Sequence, residues 1–476
     1  MVQNRDMEAS CVSAPVAGRG RSCPIRSTAA LLLALLTGAC AGGAGGDDIF
    51  PFPVSTFELD NGLKVVAVEY DSPGIVAYYT VVRAGSRNEV EPGFTGYAHF
   101  FEHMMFRGTE RYPTDAYNAV VKRMGADANA FTTNDWTAYH IVASAAALET
   151  IMDIESDRFL NLQYSEDDYR TEAGAILGEY NFNFSNPVAL LQERLRARAF
   201  RFHPYGHTTL GLLEDIQEMP NNYDYSLEFY DRYYRPNNSI IVVVGDVDPG
   251  ELERLAEQYY GAWEPGDYEP LIPVEPPQTR PRSDSVTWPN PTLPFLMLGY
   301  HAPAFNDQTI DMPALDVLSQ LLFAETAPLY RKLYLEEQVV DAISGGALDS
   351  RDGGLFTIIA RVTDPERIEY VRDEIIAEIE RLKEEPVDAQ VLAETKSHMR
   401  YQFALGLDNP GGVARTLAHY LQLTADPETV NRVYRQYDAV TPDDVQHVAV
   451  TYFAETNRTA VTLTQAAPEE GGEEAP

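Results

Sequence analysis

The 476-residue chain sets 36 Lys and Arg against 72 Asp and Glu, a formal net charge of -36 at pH 7. A surface of that sign repels nucleic-acid phosphates and anionic lipid, which excludes nucleic acid as a partner and leaves basic peptides or plain solubility in a salty medium as its uses. With 45% hydrophobic residues over a length beyond what one core serves, two or more domains are expected.

Along the chain, Arg19, Arg21 and Arg26 precede the apolar run Ala29 to Leu36, the layout of a secretory signal and too short to span a bilayer. Export is therefore expected. Thr37-Gly38-Ala39 leads into Cys40 and Ala41-Gly42-Gly43, a segment similar to a bacterial lipoprotein signal with Cys40 as the lipidated N-terminus. An ordinary cleaved signal with an incidental cysteine is the other reading. The expected place is the bacterial cell envelope, periplasmic side, with residues 1–50 as signal and N-terminal linker. Cys11, Cys23 and Cys40 are the three cysteines, so the body beyond them has no disulfide and no cysteine metal ligand.

Strand-like runs then cover Leu63 to Val68, Ile75 to Ala84 and Ser239 to Val244, the last leading into Gly245-Asp246. Between Glu264 and Ser285, Pro265, Pro270, Pro273, Pro276, Pro277 and Pro281 prevent any sustained helix or central strand, which marks a linker, assigned to 266–285. Beyond it come strands at Phe295 to Tyr300, Leu355 to Val362 and Thr459 to Leu463, with helical patterns at Met312 to Phe323, Pro365 to Lys383 and Ala389 to Leu405. The two halves, 51–265 and 286–467, share a grammar, and Tyr225 to Val244 looks like the counterpart of Tyr437 to Leu463. The expected fold class is α+β, two tandem homologous layered α/β domains, followed by an acidic disordered tail at 468–476.

A hydrolytic zinc site needs three protein ligands, an open position for water and a base. In His99-Phe100-Phe101-Glu102-His103 the histidines are four apart, so on a helix both imidazoles share one face, and Glu102 borders that face as a candidate base. The segment Tyr169 to Tyr180 brings Glu172 and Glu179, seven apart and again on one helical face; one can ligate zinc while the other orients a histidine. His203 and His207 repeat the spacing, but Pro204 and Gly206 disfavour a helix, which makes that stretch a structural loop. His140, His301, His398, His419 and His447 are isolated and read as packing or surface residues.

These residues resemble the inverted zinc motif of the pitrilysin, insulinase and mitochondrial processing peptidase family. The resemblance runs from about residue 54 to 465. It includes Leu59 to Val65 as an opening strand, Gly85-Ser86-Arg87-Asn88-Glu89 as a turn, Thr95 to Gly108 as the motif helix, and Pro204 to His207 through Tyr234-Arg235-Pro236-Asn237-Asn238 and Val244-Gly245-Asp246 as a first-domain ending. It implies that His99, His103 and Glu179 bind one Zn2+ per chain, Glu179 standing 179 − 103 = 76 residues after His103. It implies further that Glu102 and Glu172 serve catalysis, and that Asn129, Ala130, Phe131 and Thr132 form an exposed edge strand that binds an extended peptide through its backbone. The expected activity is that of a zinc metalloendopeptidase cutting peptides or unfolded segments in an enclosed chamber.

The resemblance breaks in the second half. Where complete family members carry an arginine and a tyrosine seven apart, Leu333 to Asp341 holds Tyr334 and Asp341, and neither supplies a cation for a developing oxyanion. The implied assembly is a heterodimer in which this chain carries zinc and a homologous partner subunit supplies the Arg/Tyr pair, the two closing as halves of a clamshell. A non-catalytic peptide-binding or assembly subunit of the same fold is the alternative.

Overall fold

The run Ser239–Gly245 is apolar at almost every position because it lies inside a sheet covered on both faces, as a strand without polar alternation must. The computed structural model describes residues 48–466; the signal, Cys40 and the acidic tail lie outside the described residues. The first sheet contains β1 (Val54–Glu58), β2 (Lys64–Glu69), β3 (Ile75–Val82), β4 (Asp127–Thr132), β5 (Thr137–Ser144) and β6 (Ser239–Gly245), in the order β1-β2-β6-β3-β5-β4. The second contains β7 (Arg282–Trp288), β8 (Phe295–His301), β9 (Val340–Gly346), β10 (Leu355–Val362) and β11 (Arg458–Gln465), in the order β7-β11-β8-β10-β9.

Without β1, the two sheets have one topology. In each, the outer strand pairs parallel with the last strand (β2 with β6, β7 with β11) and every other pairing is antiparallel. The six strands expected from hydrophobic pattern are present, shifted by a residue or two at their ends, but Leu59 to Val65, expected as an opening strand, is mostly the turn between β1 and β2. Two boundaries need correction. Residues 282–285, assigned to the linker, already belong to β7, where they pair with β11. Phe50, assigned to the N-terminal linker, is 3% exposed and its backbone N–H donates to Asn431 Oδ1.

In the first half the helices are α1 (Tyr97–Met104), α2 (Thr114–Met124), α3 (Leu148–Asn161), α4 (Glu166–Asn183), α5 (Pro187–Ala199), α6 (Leu213–Glu218), α7 (Tyr223–Tyr233) and α8 (Pro249–Tyr260). The second half adds α9 (Asp311–Phe323), the single turn α10 (Pro328–Tyr330), α11 (Ile368–Glu384), α12 (Ala389–Gly406), α13 (Pro410–Thr424), α14 (Thr429–Ala439) and α15 (Pro442–Tyr452). Most of them cover their own sheet. One face of the first sheet, with Val65, Ala67, Tyr78 and Val243, packs on α1, α3 and α8; one face of the second packs on α9, α11 and α15.

The remaining faces are covered by exchange. Helix α13 from the second half lies on β3 and β6, burying Val413, Leu417 and Leu421 against Tyr79, Val81 and Val242. Helix α5 from the first half lies on β7, β8 and β11, burying Leu191 and Leu195 against Met297, Val461 and Leu463.

Candidate metal centre

Helix α1 begins at a crowded crossing. Gly96 has φ +89°, and a Cβ there would meet the Leu210 carbonyl at 2.9 Å, while the facing Gly211 (φ +84°) comes equally close to the Gly96 nitrogen, so neither position admits a side chain. The orphan N–H groups of the first turn are taken by a buried carboxylate: Glu89 accepts from Gly96 through Oε2 and from Ala98 through Oε1, both at 2.8 Å. Further along, the Tyr139 hydroxyl donates to the Phe101 carbonyl at 3.1 Å. Phe100, Phe101 and Met104 fill the core, which fixes the rotation of α1 and turns His99, Glu102 and His103 to the other side.

Helix α4 starts with Ser165 as a capping residue, its hydroxyl accepting from the Asp168 N–H. It buries Tyr169, Ala173, Ile176 and Tyr180, and the Tyr169 hydroxyl meets that of Tyr97 at 3.1 Å. That anchoring brings Glu172 and Glu179 to α1. Glu179 Oε1 lies 3.7 Å from His99 Nε2, and Oε2 lies 3.4 Å from His103 Nε2. One ligand atom from each of the three residues falls within 4.8 Å of the others, and among the described residues no second group of three such side chains does so.

The donor set fits zinc. A tetrahedral ion with ligands at about 2.1 Å holds its ligand atoms roughly 3.4 Å apart, near the two separations observed. Glu172 faces away from this cluster, with Oε1 at 2.8 Å from His103 Nδ1 and Oε2 accepting from Arg107 Nε at 2.5 Å. With a metal in place of the Nε2 proton, a proton held between His103 Nδ1 and Glu172 would leave Nε2 as the ligating nitrogen toward Glu179, the relation that orients metal-binding histidines.

The electrostatics agree. Burial pulls His99 below its ordinary value, which keeps the ring neutral and able to ligate. At His103 burial acts in the same direction, but hydrogen bonds to Glu172 and Glu179 overcome it and push the ring up to about 10. Glu179 is held low, first by its hydrogen bond with His103. Positive charge is thus favoured between these carboxylates, as a cation site requires.

Glu102 Oε2 accepts from Thr132 Oγ1 at 2.7 Å, which joins the motif helix to β4. β4 ends its sheet, paired with β5 on one side only, so its other edge offers backbone N–H and C=O groups. Asn129 is exposed and Thr132 half-buried, whereas the side chains of Ala130 and Phe131 are buried and Phe131 packs edge-on against Trp136. Sequence reasoning missed three supports: Arg107, Glu89 and the Thr132 bond. Only Arg107 left a trace, standing four residues after His103, one helical turn on.

In the second half, Asp341 on β9 is bound to Arg361 Nε at 2.6 Å, and Tyr334 stacks on Tyr330 with ring centroids 4.9 Å apart. His203 and His207 lie around a single tight turn, with His203 Nε2 3.0 Å from Asp352 and His207 Nδ1 2.9 Å from the Thr208 carbonyl.

Residues 65–212 match the family model described as insulinase (peptidase family M16), and 222–399 match the peptidase M16 inactive domain. The chain is 30% identical to a zinc protease, PqqE, of Helicobacter pylori over 416 residues, covering 85% of this chain and 91% of that protein. A mitochondrial-processing peptidase subunit beta of Caenorhabditis elegans is 32% identical over 210 residues, 44% of this chain and 45% of its own length. Among solved structures, a protease from Helicobacter pylori superposes with a TM-score of 0.81 at 29% identity, covering 87% of this chain and all of that one. An M16-like peptidase described as putative, from Alicyclobacillus acidocaldarius, has the same fold, with a TM-score of 0.78 at 22% identity over 87% of this chain and 99% of its own. With its two repeated sheets and a relative matched along nearly its whole length, the chain belongs to the insulinase family of peptidases, family M16.

Proposed function

We propose that this chain is a zinc-dependent metalloendopeptidase that hydrolyses peptides or unfolded segments, with one zinc held by His99, His103 and Glu179. The observation that carries this reading is the convergence of those three side chains beside Glu102. Bound there, zinc supplies Lewis acidity toward the scissile carbonyl and the attacking water. Glu102 takes the water's proton and returns it to the leaving amine, and Thr132 sets its rotamer beforehand. Glu172 holds the His103 ring. An extended peptide adds to the open edge of β4 at Asn129 to Thr132, so its backbone is gripped on the strand whose last residue touches Glu102.

The catalytic half runs from Phe50 to about residue 265, a linker covers 266–281, and the homologous second half begins with β7 at Arg282. Because Asp341 is engaged by Arg361 and Tyr334 by Tyr330, we infer that a homologous partner subunit brings the missing Arg/Tyr pair and closes over this zinc-bearing chain. Export and a lipid anchor at Cys40, on the periplasmic side of a bacterial envelope, rest on the arginine-then-apolar start. No helix of the described residues is long and apolar enough to cross a membrane. The same engagement of Asp341 favours a second reading, a peptide-binding or assembly subunit without turnover.

Purified chain with zinc, alone and with a candidate partner, is assayed on a quenched peptide beside Glu102→Gln. Turnover is expected to fall roughly 100-fold or more in the variant while its zinc content stays the same. Peptide binding without turnover in any combination would sink the enzyme and leave the second reading standing.

A further inference from the structure

At the C-terminal end of α13, on the face of the first sheet that α1 does not cover, three arginines line one cavity of about 290 Å³. Arg83 follows β3 and donates from Nε to the Gln422 carbonyl at 2.9 Å. Arg87, in the turn Ser86–Asn88, donates from Nε to Asp352 Oδ2 at 2.5 Å. Arg351, in the β9–β10 connection, reaches across from the second half and donates from Nη1 to the Arg83 carbonyl at 3.3 Å.

Of the described acids nearby, Asp352 pairs with Arg87, and none pairs with the guanidinium of Arg83 or Arg351. Asp307, which lines the same cavity, accepts from both Nε and Nη2 of Arg432. Asp352 is shared between Arg87 and His203 Nε2. Asp135 accepts the Tyr205 hydroxyl at 2.5 Å and the Arg351 backbone N–H at 3.0 Å. Among the described residues neither Arg83 nor Arg351 forms an ion pair within 4.0 Å. In a chain with 72 acidic residues against 36 basic ones, partners were plentiful, yet these two half-buried cations have none. Burial first, then Arg351 and Arg87, pull Arg83 down to about 10; burial and then Arg87 lower Arg351 as well, against the opposing pull of Asp135 and Asp352. Positive potential is therefore concentrated in the cavity, and a guanidinium fork is the donor geometry that matches carboxylate and phosphate oxygens.

We propose that this cavity binds a small oxyanion, a phosphate or carboxylate group, held by the remaining guanidinium N–H groups of Arg83, Arg87 and Arg351 so that it bridges the two halves of the chain. Its volume lies at the lower limit of small-molecule pockets, about 300 Å³, which suits an ion of this class rather than a larger metabolite. The site is separate from the metal centre and does not depend on peptidase activity.

Isothermal titration of the full chain with inorganic phosphate, and separately with acetate, at fixed ionic strength set by chloride, reads the site directly. A saturable phosphate Kd on the order of 1 mM or tighter is expected, weakened at least tenfold in Arg351→Gln. Saturation by phosphate alone assigns a phosphate source, and saturation by acetate as well assigns the wider carboxylate class. Phosphate also raises the thermal midpoint of the chain but not of the variant. No saturable heat with either anion, or the same affinity in a folded Arg351→Gln, overturns the proposal. If that variant does not fold, Arg87→Lys keeps the charge and loses the fork; weaker phosphate binding supports the site and unchanged binding overturns it.

Discussion

Glu172 is hydrogen-bonded from two sides, by His103 and by Arg107, so its position is set by a cation that never faces the cluster. Arg107→Ala leaves Glu172 free to turn and His103 Nδ1 without a fixed partner. Zinc retention is then expected to weaken about 10- to 100-fold, read by competition with a graded chelator. Unchanged retention would assign Arg107 to surface packing alone. A second residue-scale prediction concerns Asp316 on α9, half-buried, accepting the Tyr437 hydroxyl and pushed up to about 7 by its desolvation and then by Asp349. Its folded value exceeds the unfolded one, about 3.9, so between those values the unfolded state binds fewer protons and stability falls as pH rises, levelling off above pH 7. Across that window the wild type is expected to lose on the order of a few kcal/mol relative to Asp316→Asn, measured by urea denaturation at each pH. Parallel curves for the two proteins would contradict it. At this scale the sequence was informative where chemistry is local: His99, Glu102 and His103 share a helical face by spacing alone. Asp316 carried no such periodic mark, because its partner Tyr437 arrives from another element.

Helices α5 and α13 are exchanged between the halves, each packed on the other half's sheet. A chain so interleaved is expected to unfold as one unit rather than as two domains in succession. Leu195→Ala, at a site 2% exposed against Met297, Val461 and Leu463, is expected to cost about 2–5 kcal/mol and to lower a single calorimetric transition that includes the metal centre. Two transitions, only the upper or lower of them shifted, would show the halves to be independent. The repeated grammar of strands and helices was legible in the sequence because hydrophobic periodicity reports whether a segment has a buried face. It does not report what covers that face, so nothing along Pro187–Ala199 distinguished the first sheet from the second. The linker assignment failed at 282–285 for a related reason: prolines flank β7 on both sides, at Pro281 and Pro289, so local composition did not mark the strand between them, and the pairing of β7 with β11 is a contact between residues far apart in the chain.

Over the whole molecule, the net charge of -36 sets a field that draws cations toward the surface. A Lys- and Arg-rich peptide is expected to be cleaved with a kcat/KM roughly tenfold or more above a neutral analogue at low salt, and the gap to close near 1 M, where screening acts within about 3 Å. A ratio insensitive to salt would place specificity in pockets instead. What the sequence determined by itself is whatever depends on neighbours along the chain: the imidazole pair with Glu102 within one helical turn, the second pair of carboxylates two turns apart, the runs that became β2, β3, β6, β8, β10 and β11, and a family resemblance that pointed to Glu179. Tertiary structure alone decided that Glu179 meets both imidazoles, that Thr132 on an edge strand holds Glu102, that two helices are traded between sheets, and that three arginines from both halves share a cavity. Each of those facts joins groups separated by tens to hundreds of residues, and periodicity along a chain carries no record of which distant surfaces will be pressed together when the cores close.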